Sequence, residues 1–482
     1  MTTVDSAIIV VYIIAVLCVG AIFFRGQRSL SDFFLGHRNI PWWAAAFSGI
    51  ATILSAVSFL GAPGQAFRSD MRFLQYRLGT PVALFIIGWI MIPFFYRLKV
   101  YSIYEYLESR FDLKTRLMAG GQFFLLKALY LGITIYAPSL LFVQMTGLPL
   151  APVVIAVGLF TTFYTTMGGV KAVIWTDTLQ LAILFSGLAT ASWVIASRTG
   201  GIGAVMSAAQ SAGKLRFFDF STDFATEFTF LGGIIGGTFV LLSQYGVNQA
   251  ELQKMLTTAD VHKSRMALIS SMVVASVVGV IYFLIGPGLF VFYSQDPTKA
   301  AMSVNPDRVF AKFILEELPP GIKGLLMASV AAAAMSAVSS ILNSLTTVVT
   351  SDFYARLSRR QATVATARWI TLGIGIVCTL GALYVDRLGN LLVAATKLQN
   401  FFGGSLTGVF LLGMTTQAAT GTGAFIGMLA GTAAVIALSA FAPVSWMWHG
   451  VFAASIAYGV GYLVSRKESA PDGIEHLVWR AD

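Results

Sequence analysis

Long apolar runs separated by short polar connections dominate the chain. A window of about 20 apolar residues, enough to cross roughly 30 Å of hydrocarbon at about 1.5 Å per residue, fits thirteen times. The windows are 4–24, 41–66, 73–96, 115–144, 149–168, 172–197, 229–250, 264–293, 321–351, 363–385, 388–412, 420–441 and 446–464. They are too long for barrel strands and lack the alternation those strands need. A signal peptide would carry its positive charges before the apolar segment. Here Arg25 follows the run Val4 to Phe24, which predicts a retained first helix. The pattern predicts an all-α polytopic membrane protein of about 13 transmembrane helices.

Composition agrees. Hydrophobic residues make up 56% and charged residues 11%, against roughly 45–50% and 25% in soluble domains. The net charge of +10 comes with no long basic block, so no nucleic-acid partner is expected and topology must explain it. With the N-terminus outside, nineteen of the 32 Lys and Arg fall on inner segments, Lys171, Lys254 and Lys263 among them, and ten outside. The positive-inside rule then predicts N-out and C-in, in a multi-pass protein of the plasma membrane, a bacterial inner membrane by expectation. Cys18 and Cys378 both lie in apolar runs and form no disulfide framework. The stretch 465–482 is too short to fold alone, which speaks against a sensor with an appended signalling module.

Enzyme motifs are missing from the sequence: there is no HExxH pair, GxSxG elbow or P-loop. The informative residues are polar ones that a bilayer makes costly. Ala333, Ser336, Ser340, Asn343 and Thr347, with Ser339 alongside, line one face of the ninth window. Such a face suits either close helix packing or a hard cation. Asp177 lies inside the sixth window, where an ionised carboxylate needs a partner. Its other reading is an acid near a helix N-terminus. Ala51 to Gly64 in the second window and Gly232 to Thr238 in the seventh are rich in small residues, and two interrupted helices at corresponding places point to a midplane site. Arg77, Lys127 and Lys397 fall within windows. Cations in a transport cavity imply an anionic solute, and Arg77, able to grip a carboxylate with two parallel bonds, is the first candidate. Snorkelling is the alternative for Arg77 and Lys397.

Through these residues the chain resembles the sodium/solute symporter family over nearly its whole length. Gly168 to Gln180 (GGVKAVIWTDTLQ) is similar to that family's most specific motif. Leu129 to Pro138 (LYLGITIYAP) and Gly236 to Gln249 (GGTFVLLSQYGVNQ) resemble its monocarboxylate, iodide and multivitamin branch. Ala51 to Phe59, Tyr104 to Asp112 (YEYLESRFD) and Ala331 to Tyr354 also resemble bacterial sialic acid symporters.

The resemblance implies a LeuT-type 5+5 inverted repeat working by alternating access, with Na+ as the coupling ion and no other cofactor. Domain boundaries follow: a peripheral first helix and inner loop at 1–40, the transport core at 41–412, two peripheral helices at 413–464 and a cytoplasmic tail at 465–482. It implies a common sodium site of the Ala51, Leu54 and Ala333 carbonyls with the Ser336 hydroxyl. Ala337 stands where the family usually has a second hydroxyl. An additional site would use Asp177, Ser336, Ser339 and Ser340. The arginine that holds the carboxylate in the sialic acid branch aligns with Tyr130, while Arg77 replaces a substrate-facing glutamine. Ile53, Ser55, Ser58, Phe73 and Thr396 match other pocket positions, and apolar Ile53 suggests a smaller or less hydroxylated solute than a sialic acid. The expectation is an importer of a small organic anion, a monocarboxylate, with Na+. The alternatives are a Na+ symporter of a sialic acid, sugar or amino acid, or, from another class, a sensor or channel. Gly423, Gly427 and Gly431 in the twelfth window serve either internal packing or a dimer, and a monomeric transport unit is expected.

Overall fold

The computed structural model describes residues 2–24, 29–98, 100–295, 306–385, 391–468 and 473–479, and at a few helical positions, 391–397 among them, the backbone alone. All regular structure among these residues is helical. The membrane elements are α1 (Thr3–Phe24), α2 (Trp42–Ile53), α3 (Ala56–Arg68), α4 (Met71–Leu98), α5 (Leu113–Thr146), α6 (Leu150–Thr166) and α7 (Gly169–Arg198). They continue as α8 (Phe230–Gly246), α9 (Gln249–Met255), α10 (Val261–Ser294), α11 (Ile322–Leu357), α12 (Val364–Ala382), α13 (Leu391–Thr415), α14 (Gly421–Phe441) and α15 (Trp446–Ser465). Eight are long and apolar enough to cross a bilayer alone, and the pairs α2/α3 and α8/α9 bring this to ten if each pair is one span. Shorter apolar helices, at Thr3–Val19, Leu150–Thr166 and Phe401–Thr415, occupy the remaining three windows.

Burial sorts the helices into core and periphery. In α11, 94% of the most apolar stretch is buried, against 28% in α12 and α14. The hydroxyl face of α11 is therefore inside: Ser336, Ser339, Ser340, Asn343 and Thr347 are all buried, and α11 packs against α5 and α7. Between α6 and α7 the backbone leaves helical geometry at Gly169 (φ 55°, ψ −167°), a left-handed value that glycine adopts without strain.

The glycines of α8 require a correction. Gly232, Gly233, Gly236 and Gly237 do not interrupt the helix, which runs unbroken through Phe230–Leu241. They permit close approach: a Cβ at Gly233 would meet the Gln75 carbonyl, and one at Gly237 that of Tyr76. The bend comes later, where a π-helical turn at Leu242–Gly246 gives way to an extended Asn248. In α14, a Cβ at Gly427 or Gly431 would strike the Ala457 or Ala453 carbonyl of α15, so internal packing accounts for that stripe.

Candidate functional site at the two helix breaks

The two broken pairs bend by 54° (α2/α3) and 65° (α8/α9). At the first, Leu54 leaves the helix (φ −80°, ψ 54°) and Ser55 is extended before α3 begins. A helix that stops inside a bilayer leaves its last carbonyls without intrahelical donors, and Ala51 and Leu54 sit at that end. At the second break, the Asn248 side chain accepts from the Ala250 backbone N–H and starts α9.

Between the breaks lies a cavity of about 120 Å³ that brings together Ile53, Ser58, Phe73, Arg77, Lys127 and Tyr130. Arg77 comes from a 3-10 segment, Met71–Gly79, that opens α4 and is set in place by the α8 glycines. Its guanidinium lies 4.7 Å from the Tyr76 ring centre, and its Nε and Nη1 are buried without a hydrogen-bond partner. Lys127 is buried. Its Nζ donates to Gln399 Oε1 at 3.3 Å and lies 5.1 Å from the Tyr130 ring centre. The Ser58 hydroxyl donates to the Ile53 carbonyl at 3.3 Å. Ser55 is not on the cavity wall; it is fully buried at the break, its hydroxyl unpartnered. Thr396, in α13, and Lys397 lie outside the described side chains.

Behind the cavity, α2, α7, α9 and α11 converge on Asp177. The Ser48 and Ser340 hydroxyls donate to Asp177 Oδ2, the latter at 3.2 Å, and Lys254 Nζ lies 3.4 Å from the same oxygen. Asp177 Oδ1 and the Ser336 hydroxyl are buried without partners, while the Ser339 hydroxyl donates to the Ser336 carbonyl at 3.0 Å. The carboxylate and hydroxyl oxygens gathered here are donors that suit a hard cation. Ala337 is fully buried beside it.

One expectation changes here, and one residue that the sequence reading passed over joins the site. Lys254 is no inner-loop cation but 3% exposed against Asp177, and Glu251, just past the seventh window, lines the cavity at 2% exposure. A hydropathy window ends at its first charges, so α9 looked like the start of a loop. The available signal was the three-residue spacing of Glu251 and Lys254, which places both on one helical face.

A helical membrane protein with two broken helices flanking a cavity, and a buried cluster of carboxylate and hydroxyl oxygens behind it, has the design of a LeuT-type secondary transporter. The profile described as Sodium:solute symporter family matches residues 33–431, and the chain belongs to that family. It is 31% identical over 464 residues to the sodium/sialic acid symporter NanT of Aliivibrio fischeri, covering 94% of this chain and 91% of the relative. With the human sodium-coupled monocarboxylate transporter 1 it shares 34% identity over 419 residues, 85% of this chain and 68% of that one. A solved Na+-coupled sialic acid symporter in a substrate-bound, outward-open state superposes with a TM-score of 0.89 at 30% identity, covering 97% of this chain and 99% of that one. Mhp1, a nucleobase-cation-symport-1 family transporter, shares the fold at a TM-score of 0.59 and 14% identity. The protein is a Na+-coupled solute symporter of the membrane.

Proposed function

We propose that the chain imports a small organic anion, a monocarboxylate, together with Na+. Arg77 carries this reading: a buried guanidinium whose Nε and Nη1 have no hydrogen-bond partner lines the cavity, and a carboxylate is the planar anion that complements a guanidinium. Among the described lining residues, Lys127 and Glu251 offset one another and Arg77 leaves a positive surplus. The cavity of about 120 Å³ is small beside the roughly 300–1,000 Å³ of drug-sized ligand sites, which favours a solute of a few heavy atoms. The aromatic pair Phe73 and Phe283, stacked at 5.2 Å, suits its apolar part.

Na+ would be held by the carbonyls of Ala51, Leu54 and Ala333 with the Ser336 hydroxyl, and at a second position by Asp177, Ser336, Ser339 and Ser340. The unpartnered Ser336 hydroxyl supports both and the unpartnered Asp177 Oδ1 the second, and Ala337 contributes a methyl where a hydroxyl would complete the first. A cation there compensates the carbonyl ends released at the α2/α3 break and favours closure of the half-helices on the solute. The Lys and Arg distribution supports the N-terminus outside and the C-terminus inside, and the internally packed α14 glycines suit a monomeric transport unit.

A sialic acid is the second reading, favoured by the similarity to NanT and to the solved sialic acid symporter. Thermal unfolding of the purified protein with lactate or N-acetylneuraminate, in Na+ and in K+, separates the two, because a ligand of the folded state raises apparent stability. Stabilisation by lactate in Na+ but not in K+ is the expected result. Stabilisation by the sialic acid alone refutes the monocarboxylate.

A further inference from the structure

Lys254 stands where the cation pocket and the solute cavity meet. Its Nζ donates to the Ser48 carbonyl at 2.9 Å and to the Thr52 hydroxyl, and lies 3.4 Å from Asp177 Oδ2. An ammonium held by a carboxylate, a hydroxyl and a main-chain carbonyl is held much as a metal cation would be. Thr52 and Glu251 belong to the cavity wall, and Glu251, three residues before Lys254, shares its face of α9. Glu251 Oε2 is buried without a partner, and the cations that act on this carboxylate are Lys254 and Lys127. Asp177, Lys254, Glu251 and Lys127 thus alternate in sign from the cation pocket to the cavity.

We propose that Lys254 is a tethered counter-cation that shares Asp177 with the coupling Na+, and that Na+ binding shifts its ammonium along α9 toward Glu251. Two cations on one dry carboxylate repel strongly, so Na+ at Asp177 weakens the hold on Lys254. Glu251, one turn away and unpartnered at Oε2, receives it. Once neutralised from the ion side, Glu251 releases its attraction on Lys127, whose ammonium is then free to join Arg77 on the solute carboxylate. Ion and solute thereby favour each other, and by linkage the effect is reciprocal. The inference rests on Asp177 as a Na+ ligand.

The test is the Na+ concentration for half-maximal thermal stabilisation of the purified full-length protein, titrated against choline at constant ionic strength without solute. Lys254→Met removes the competitor and lowers that concentration about fivefold or more, the lower end of ordinary coupling. Lys254→Arg keeps the charge and leaves it within about twofold. Glu251→Gln, which removes the receiving carboxylate, raises it in the parent but changes it by less than about twofold in the Lys254→Met background. A purely structural Lys254 predicts the opposite, an equal or higher concentration in Lys254→Met, and that result overturns the proposal. Should Lys254→Met fail to fold, Glu251→Gln decides alone, since an unchanged concentration there also overturns it. Asp177→Asn separates the two levels. If it leaves Na+ stabilisation intact, the ion-site reading fails; if it abolishes stabilisation while Lys254→Met gives no gain, the tethered cation alone fails.

Discussion

Gly237 of α8 lies directly against the backbone of Tyr76: a Cβ at 237 would meet the Tyr76 carbonyl oxygen and stand 3.0 Å from its Cα. Both partners are main chain, so neither can rotate away as a side chain would. The segment held in this way is the 3-10 turn that presents Arg77, which makes a glycine on one helix a determinant of where a guanidinium on another faces.

Gly237→Ala is expected to cost about 1–3 kcal/mol, the usual penalty of overpacking, and to weaken solute binding beyond what the stability loss explains. Gly121→Ala is the control, since nothing lies within 4 Å of a Cβ there and a helical Gly→Ala exchange is ordinarily neutral or stabilising. Thermal unfolding and solute affinity measured on both variants check the pair. Equal behaviour would show that the close approach does not position Arg77.

Asp177→Asn is expected to weaken Na+ binding by about tenfold to a hundredfold, the equivalent of roughly 1.5–3 kcal/mol for one charge-assisted contact. It also leaves Lys254 buried without its carboxylate, a change that costs about 3–5 kcal/mol when an ion pair is broken from one side. Adding Lys254→Met should recover stability without restoring Na+ dependence. Uptake that keeps its Na+ activation in the single variant removes Asp177 from the ion site.

The sequence disclosed the first break better than the second, for a physical reason. Ala51 to Gly64 is poor in large side chains, and the bend at Leu54 and Ser55 falls inside that stretch. The glycines of α8 carry a similar compositional mark but serve close packing, because a missing Cβ can signal either a broken helix or a near neighbour. The actual break follows a π-helical turn at Leu242–Gly246, and nothing in local propensity announces such a turn. Asp177, Arg77 and Lys127 stood out as charges inside apolar windows. Glu251 and Lys254 did not, since α9 is a half-helix whose burial comes from neighbouring helices rather than from its own hydropathy.

Ala337→Ser places a hydroxyl beside Ser336 at a fully buried position of α11. If the Ala51, Leu54 and Ala333 carbonyls hold Na+, a further oxygen ligand lowers the Na+ concentration for half-maximal uptake, at a stability cost of about 1–3 kcal/mol for an overpacked helix contact. Uptake kinetics across a Na+ series check this. An unchanged or higher half-maximal concentration in a folded variant places the coupling ion elsewhere.

Arg77 should set the charge selectivity of the cavity. Its Nε and Nη1 lack partners inside the protein, so a bound carboxylate gains a charge-assisted bond there without first breaking an internal one. Such an interaction is worth about 1.5–3 kcal/mol, or about tenfold to a hundredfold in affinity. Arg77→Lys keeps the charge but loses the fork, and Arg77→Gln loses both, so affinity should fall in that order. Calorimetry with the transported carboxylate reads the series directly. Binding to Arg77→Gln as tight as to the parent passes the anchor to Lys127, and tight binding to the Arg77→Gln/Lys127→Gln double variant refutes an anionic solute.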